Sequence, residues 1–592
     1  MIIPQDKHIE FYEWQIQVLE DEWERYAKSP MRILMQEKRL FVGRIWGVQE
    51  EQGNVILRFK AGVVPRMKQP YLLCLVGSDA PQDSSNWNFN YTTFRESQSP
   101  RLSGRNTDIY TQYYLKSNHS DWSYIAVNGF DSELLLNLKE NFLSKQQHPL
   151  IVIAETDPPI DYLLKLKEYV ASNGEDSILN LDVDKKEDSW NPINIDNEAE
   201  ILQDVVDLIH NNHTTIIQGP PGTGKSYLAA QLSGYFLEQN YAVAVTALTN
   251  RALIEIAEKK GLDKAIGQKK VYKTNLSNDE LKKLPSLQNV KSFSPINGEL
   301  LLTTYYKLSQ FHSEIIEGSK RFDLLIIEEA SQSYLATIAM FSSIAKKVLV
   351  IGDHKQLMPV VIRRDQALKI HIKINGIIDG LKTLAFNNSD LSYRLTKTRR
   401  LTSVAAKLTG LYYDNKLSSI SDLEGEISLH SKYSNLFQPN GGVSIVRLQS
   451  SRIGFLEEDI IKLLCKIANE LMKSDKSLEV ALLSPYIKIE SAYYEQYSKL
   501  STDYSHMTIN TIHKIQGLTT DLTLHYMPLD NPGFDLDDNL FNVATSRSRM
   551  GTLLVTYEHI RLLSSVSTET LNFLHSCMDV TDIFKTFLAE SR

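Results

Sequence analysis

The stretch Ile216-Ile217-Gln218-Gly219-Pro220-Pro221-Gly222-Thr223-Gly224-Lys225-Ser226 decides how this chain folds. It reads as the end of an apolar strand, a glycine-rich turn and the first turn of a helix. Every fixed position of the template G-x-x-x-x-G-K-[ST] is filled. Glycines let the backbone turn tightly, so several N–H groups point inward at phosphate oxygens. The helix beginning at Ser226-Tyr227-Leu228 offers its positive end to the same anion. Lys225 can then reach the β- and γ-phosphates of a nucleoside triphosphate, and the Ser226 hydroxyl can ligate Mg²⁺. A chance glycine-rich turn lacks the strand before and the amphipathic helix after.

Outward from this loop, the composition sets bounds. The chain has 592 residues, 42% hydrophobic and 23% charged. That length implies roughly three or four domains of ordinary globular character. Its three cysteines (Cys74, Cys465, Cys577) lack C-x-x-C spacing. They form no zinc or disulfide pattern and suit a reducing cytosol, so a cytoplasmic or nucleoid-associated protein is expected rather than a secreted one. No signal pattern opens the chain, and no apolar run is long enough to span a bilayer. The formal net charge is −8, so any nucleic-acid partner must be held by a local groove and not by a global basic field.

Upstream of the loop, residues 1–30 carry apolar and aromatic positions at helical spacing (Phe11, Trp14, Ile16, Val18, Leu19, Trp23) and predict a packing helix ended near Ser29-Pro30. Residues 31–130 change to short strand-like runs, Leu40–Trp46, Asn54–Phe59 and Tyr71–Val76, with a hairpin turn at Gln52-Gly53-Asn54. A β-rich barrel is expected there, with Asp79 to Thr107 as a long polar loop. Residues 131–196 read as a helix, a strand at Leu150–Ala154, a helix at Tyr162–Val170, and then an acidic linker from Asn173. Residues 197–390 alternate helices with apolar strands, as a parallel sheet wound on both faces requires. Residues 391–592 repeat that alternation. Two α/β halves in tandem imply a cleft between them.

The chemistry gathers at strand ends. Phe322–Ile327 is an apolar run that ends in Glu328-Glu329. One acid there can hold Mg²⁺ through water, and the next can position and deprotonate an attacking water. Val348–Ile351 runs into Gly352-Asp353-His354-Lys355-Gln356, where Gln356 can bond a γ-phosphate and report its loss.

Taken together, GPPGTGKS, EEASQ and GDHKQLMPV resemble the superfamily 1 helicases. They are most similar to the 5′→3′ group, superfamily 1B, related to the nonsense-mediated-decay RNA helicase. Thr246–Asn250 resembles that family's TAPTN loop, Leu483–Tyr486 its TPY motif, Asn510–Gly517 its NT-x-x-x-x-QG motif and Asn542–Arg549 its NVALTRAK motif. The matches keep their order from about Asn197 to the C-terminus. The resemblance implies two tandem RecA-like domains, with ATP and Mg²⁺ as cofactors and single-stranded DNA or RNA as partner. It implies that Gln516 and Gly517 line the nucleotide site. It implies that Thr249, Asn250, Thr304, Pro485 and His513 contact nucleic acid. Arg547 and Arg399 are implied as fingers on the γ-phosphate. The spacing to Tyr413-x-x-x-Leu417 favours Arg399 over Arg400. By position, the helix and β-rich region would be the family's accessory unit, where a protein partner could dock.

Four positions depart from the family. Glu328 stands where Asp is usual, Thr398 where an adenine-stacking Tyr is frequent, and Thr519 where a ribose-contacting Glu is expected. The upstream glutamine motif is poorly matched at Ile195–Glu200. The last three touch base and sugar recognition and leave the phosphate chemistry intact. A lysine-rich insert (Lys259, Lys260, Lys264, Lys269, Lys270, Lys273) is either a positive groove or a solvated helix face. The expected function is an ATP-dependent helicase or translocase. The alternatives are an ATPase that remodels protein–nucleic-acid complexes without unwinding and a nucleotide-gated scaffold with little turnover.

Overall fold

The computed structural model describes residues 1–592 except 50–52, 77–86, 99–106, 116–120, 131, 142, 198, 319, 424–428, 450–456, 559–565 and 592. The expected turn residue Gln52 and most of the polar run 79–107 lie outside the described residues. The described part of that run holds a helix, Tyr91–Gln98.

Near the N-terminus, the expected helix spans Gln5–Lys28 and ends before Pro30, which cannot continue it. Phe11, Tyr12 and Ile16 are buried against the helix Ile160–Ser172 and against Tyr334. Six antiparallel strands follow: β1 Phe41–Gln49, β2 Asn54–Lys60, β3 Pro70–Leu75, β4 Thr107–Leu115, β5 Trp122–Asn128 and β6 Leu150–Ala154. They pair in the closed order β1-β2-β5-β4-β3-β6, and β6 completes the ring by pairing with both β1 and β3. The closing strand therefore lies beyond residue 130, where the β-rich module was expected to end. Strand partners are set by burial of alternate residues across the ring and not by sequence proximity.

The next nine strands form one sheet: β7 Ile193–Ile195, β8 Thr214–Gln218, β9 Val243–Ala247, β10 Val271–Thr274, β11 Gln288–Val290, β12 Leu300–Thr304, β13 Phe322–Ile327, β14 Ala345–Gly352 and β15 Ser392–Leu395. Their order is β11-β10-β12-β9-β13-β14-β8-β15-β7. All pairings are parallel, and helices cover both faces, so the central strands are apolar along their whole length. Two expected boundaries move. Strand β7 lies in the stretch expected as linker, and β15 lies past the boundary expected at residue 390. Both extend the first sheet, because β15 pairs with β8 on one side and β7 on the other.

A short parallel pair, β16 Lys397–Thr398 and β17 Ser418–Ser419, leads out of this sheet. The second sheet holds β18 Val443–Leu448, β19 Val480–Ser484, β20 Met507–Thr511, β21 Thr520–Tyr526, β22 Ser548–Tyr557 and β23 Met578–Asp579, in the order β20-β19-β21-β22-β18-β23. The barrel rests on this second unit. Arg66 meets the buried Glu490 carboxylate at 2.6 Å, and Tyr114 stacks on Tyr494 with centroids 6.1 Å apart. Among the described residues, no helix is long and apolar enough to cross a membrane.

The second sheet also buries His525 completely, and neither ring nitrogen has a hydrogen-bond partner. Burial pushes its pKa down to about 3. The folded protein keeps this ring neutral, while the unfolded chain takes up a proton below about pH 6.5. Stability from this group is therefore present above pH 6.5 and lost as pH falls toward 3. His525→Leu is expected to flatten the fall in unfolding free energy across that window, as measured by denaturant titration at a series of pH values.

Candidate active site

The phosphate loop connects β8 to the helix Lys225–Glu238. Its two key glycines take left-handed backbones, Gly222 at φ 76° and Gly224 at φ 82°. Gly219 is required for another reason. A Cβ there would sit 2.4 Å from the Lys225 side chain. The Lys225 ammonium lies inside the loop, donating to the Gly219 carbonyl and, at 3.4 Å, to that of Pro220. Burial lowers its pKa, and Asp353 and Glu328 act against that shift.

The two acids follow β13. Ser226 Oγ donates to Glu328 Oε1 at 3.2 Å, so the two residues expected to hold Mg²⁺ are adjacent. A hydroxyl and one carboxylate suit an ion that keeps most of its waters and binds substrate phosphates. Glu328 is 3% exposed. Glu329 takes a left-handed backbone at φ 54°, an unusual state for a residue with a side chain. Its Oε2 is buried without a hydrogen-bond partner. Burial raises the proton affinity of both acids, and the neighbouring Glu328 raises that of Glu329 further.

A third acid, Asp353, directly follows β14 and is 2% exposed. Its Oδ2 accepts from Gln356 Nε2 at 2.8 Å and from the Tyr413 hydroxyl at 2.7 Å. Asn542, on the helix Asp538–Thr545 of the second unit, donates to the same Tyr413 oxygen at 2.8 Å and to the Lys355 carbonyl at 2.8 Å. One buried chain of hydrogen bonds thus joins Gln356 to the far side of the cleft. Gln516 also crosses it, donating to Ser331 Oγ at 3.3 Å, and Gly517 turns at φ 83° beside Glu329.

Arg547 is 1% exposed, with one guanidinium nitrogen unpartnered and Nε donating to Val543 O at 2.9 Å. Burial, with Arg400 nearby, pushes its pKa down to about 9. Of the adjacent pair, Arg400 and not Arg399 is turned inward, and burial lowers its pKa to about 10. Arg399 is exposed at the rim, its guanidinium 3.9 Å from where a Cβ on Gly224 would lie. Thr398 Oγ1 and Arg400 Cβ both crowd Gly222, whereas the Arg399 guanidinium lies over Gly224. Thr398 is fully buried and donates to Pro221 O at 2.9 Å, and the Arg399 N–H donates to Gly222 O at 2.9 Å. Thr398 is thus a brace on the phosphate loop. Both arginines follow β15, on the same side of the cleft as the loop, whereas Arg547 comes from the facing unit.

Pro221 to Ser226, Glu328, Glu329, Gln356, Arg399, Gln516, Gly517 and Arg547 all line one cavity of 290 Å³ between the two sheets. Gly219 and Pro220 form the strand side of the same loop. Glu255, on the helix Asn250–Ala257, lines the cavity too, and it is not legible in any motif. A signal for Asp353 and Tyr413 is present in the sequence, since both stand inside quoted motifs.

The five positions expected on nucleic acid lie just beyond or at the carboxyl ends of β9, β12, β19 and β20. Two of the hydroxyls cap helices. Thr249 accepts from Ala252 N at 3.2 Å and Thr304 from Lys307 N at 3.4 Å. Asn250 Oδ1 accepts from Lys273 at 2.9 Å. Pro485 is buried, and the exposed His513 ring stacks on Phe534 at 5.8 Å. Lys273 is fully buried and paired with Glu280 at 3.2 Å, so it belongs to no positive groove. Lys264 pairs with Glu238 at 2.7 Å.

Fold and site together define a P-loop nucleotide-binding core made of two facing parallel-sheet units. Residues 202–368 match the family model of the AAA domain. The chain is similar to a Bos taurus protein named DNA replication ATP-dependent helicase/nuclease DNA2, 22% identical in an alignment 396 residues long that covers 58% of this chain and 35% of that one. The Saccharomyces cerevisiae protein of the same name is 28% identical over 209 residues, 34% of this chain and 13% of that one. This chain spans about a third or less of the length of these curated relatives. Among solved structures, the arterivirus nonstructural protein 10 helicase is similar at 11% identity and a TM-score of 0.34, over 83% of this chain and 77% of that one. Both sequence relatives are named as ATP-dependent helicases.

Two substitutions test the site. Lys225→Ala is expected to abolish binding of a fluorescent nucleoside triphosphate. Glu329→Gln is expected to keep binding and slow phosphate release by ~10²–10⁴-fold. Equal turnover in Glu329→Gln and wild type would remove Glu329 from the chemistry.

Proposed function

We propose that this protein is an ATP-driven motor on single-stranded nucleic acid, a helicase or translocase of 5′→3′ polarity. The observation that carries it is the single cavity lined by the phosphate loop, two acids, Gln356 and the inward Arg547 of the opposite unit. On this reading the two sheets are tandem RecA-like domains, and the barrel and N-terminal helix are their accessory unit. Superfamily 1B is the subgroup the motifs fit best. DNA is placed ahead of RNA, because the sequence relatives are named for DNA replication. A cytoplasmic or nucleoid-associated location, and a protein partner on the accessory unit, are part of the same proposal.

Backbone N–H groups of Gly222 to Lys225 and the Lys225 ammonium would hold the β- and γ-phosphates. Ser226 and Glu328 would hold Mg²⁺, which when bound offsets charge on the phosphate oxygens. Glu329 would take the proton from the attacking water, and its raised proton affinity suits a base. Arg400 and Arg547 would stabilise the negative charge that spreads over the γ-oxygens, with Arg399 over the Gly224 end of the loop. Gln356 would exchange its bond to Asp353 for one to the γ-phosphate. Because Asp353 also holds Tyr413, and Tyr413 holds Asn542, that exchange would alter how the two units dock. Cycles of closure and opening would step the core along a strand lying over the strand ends.

Phosphate release in the presence of single-stranded DNA and RNA panels checks this. Stimulation by single strands, with displacement of a duplex strand from a 5′ overhang, is expected. Displacement of a bound protein block without duplex unwinding would favour a remodelling ATPase. No stimulation by any nucleic acid would reject the motor and leave a nucleotide-gated scaffold.

A further inference from the structure

The outer surface of the barrel carries a group of side chains that the core does not need. Arg44 of β1 and Arg58 of β2 stand directly opposite one another in the antiparallel register. Like charges placed so are destabilising. Among the described residues neither arginine, nor Lys60 beside them, is paired with a carboxylate, and Arg44 donates to the His148 carbonyl at 2.8 Å. The Arg58 guanidinium lies 4.0 Å from the Trp46 ring and 4.4 Å from the Trp122 ring, held between two indoles. Its Nε is buried without a hydrogen-bond partner. His148 stacks on Trp46 at 4.1 Å with planes 16° apart. Despite this packing Trp46 is 36% exposed and Trp122 40% exposed.

A groove of 430 Å³ adjoins the stack, lined by Trp46, Val48, Lys139, Leu143, Gln146 and His148. None of these is an acid. The barrel meets the second sheet through Arg66, Tyr113 and Tyr114, so this face on β1, β2 and β5 stays clear of that junction.

We propose that this face is a second binding site for single-stranded nucleic acid, outside the cleft over the strand ends. Phosphates would lie against Arg44, Arg58 and Lys60, relieving the opposed charges. Bases would stack on the outer faces of Trp122 and His148 and enter the groove, where the Gln146 amide meets a base edge. Aromatic platforms joined to cations hold single strands without reading their sequence. A polyanion fits better than a protein partner, because three cations here face no described carboxylate on a chain whose net charge is −8. The choice of nucleic acid rests on the motor proposed above. The position of the site does not.

The test is binding of a labelled thirty-nucleotide thymidine oligomer (dT30) to the full chain without nucleotide, titrated with salt and read by anisotropy. Against wild type, Arg44→Glu with Arg58→Glu is expected to weaken binding about tenfold and to lower the salt slope by about 1.4, roughly 0.7 for each phosphate no longer neutralised. Turnover at saturating single-stranded DNA should stay at the wild-type level. Photo-crosslinking of an iodouracil oligomer to wild type reads the same site without any substitution, and peptides containing Trp46 or Trp122 are expected. Unchanged affinity and slope in the variant, or crosslinks confined to the strand ends of the two sheets, would overturn the proposal and leave the motor standing. Failure of wild type to bind any oligomer would overturn both.

Discussion

Everything in the core is arranged around one ammonium group and the carboxylates that face it. Lys225 is held by carbonyls of its own loop, and Glu328, Glu329 and Asp353 close on it from the ends of β13 and β14. Burying unlike charges together is tolerated only where geometry is fixed by rigid elements. Parallel strands supply that rigidity. Strands β8, β13 and β14 are adjacent in the sheet, so their carboxyl ends bring loop, acids and Gln356 to one edge. The left-handed backbone of Glu329 is the local strain that goes with this crowding.

The same cluster explains how the two halves of the chain can act together. Asp353 is hydrogen-bonded to Gln356 on one side and to Tyr413 on the other. Tyr413 reaches Asn542, whose helix leads directly into Arg547. Burial beside Asp353 drives the Tyr413 pKa upward, so the phenol keeps its proton and remains a donor. Any group that competes for Gln356 therefore acts on a network that ends on the opposite unit. The barrel touches that opposite unit through Arg66 and the buried Glu490, and its other side packs on the N-terminal helix, which rests on the first unit.

Much of this is legible in the sequence because the chemistry is written in short continuous segments. The phosphate loop, Glu328-Glu329 and Gln356 each follow an apolar run, and a strand end fixes their place within a residue or two. What depends on non-local pairing is not legible. Strand β7 is three residues long and polar-flanked, and only its pairing with β15 makes it part of a sheet. Adjacent arginines cannot be ranked by spacing to a distant tyrosine, because the chain bends at Arg399 and Arg400 and that local turn decides which side chain is buried. Thr398 reads as a missing base platform, yet it is buried under the loop and bonded to Pro221. Lys273 reads as part of a positive insert, but strand β10 carries it inside, against Asn250 and Glu280. Glu255 reaches the cavity from a helix whose sequence gives no hint of it.

On the proposed function, residues from both sheets meet the same γ-phosphate. Affinities for a non-hydrolysable ATP analogue and for ADP, compared in wild type and Arg547→Ala, decide whether they do. Arg547 lies in the second unit, far in sequence from the loop. Loss of its charged hydrogen bond should weaken the analogue by about 2 kcal/mol and leave ADP unchanged. Equal loss for both nucleotides, or no loss for either, would contradict a shared site across the cleft.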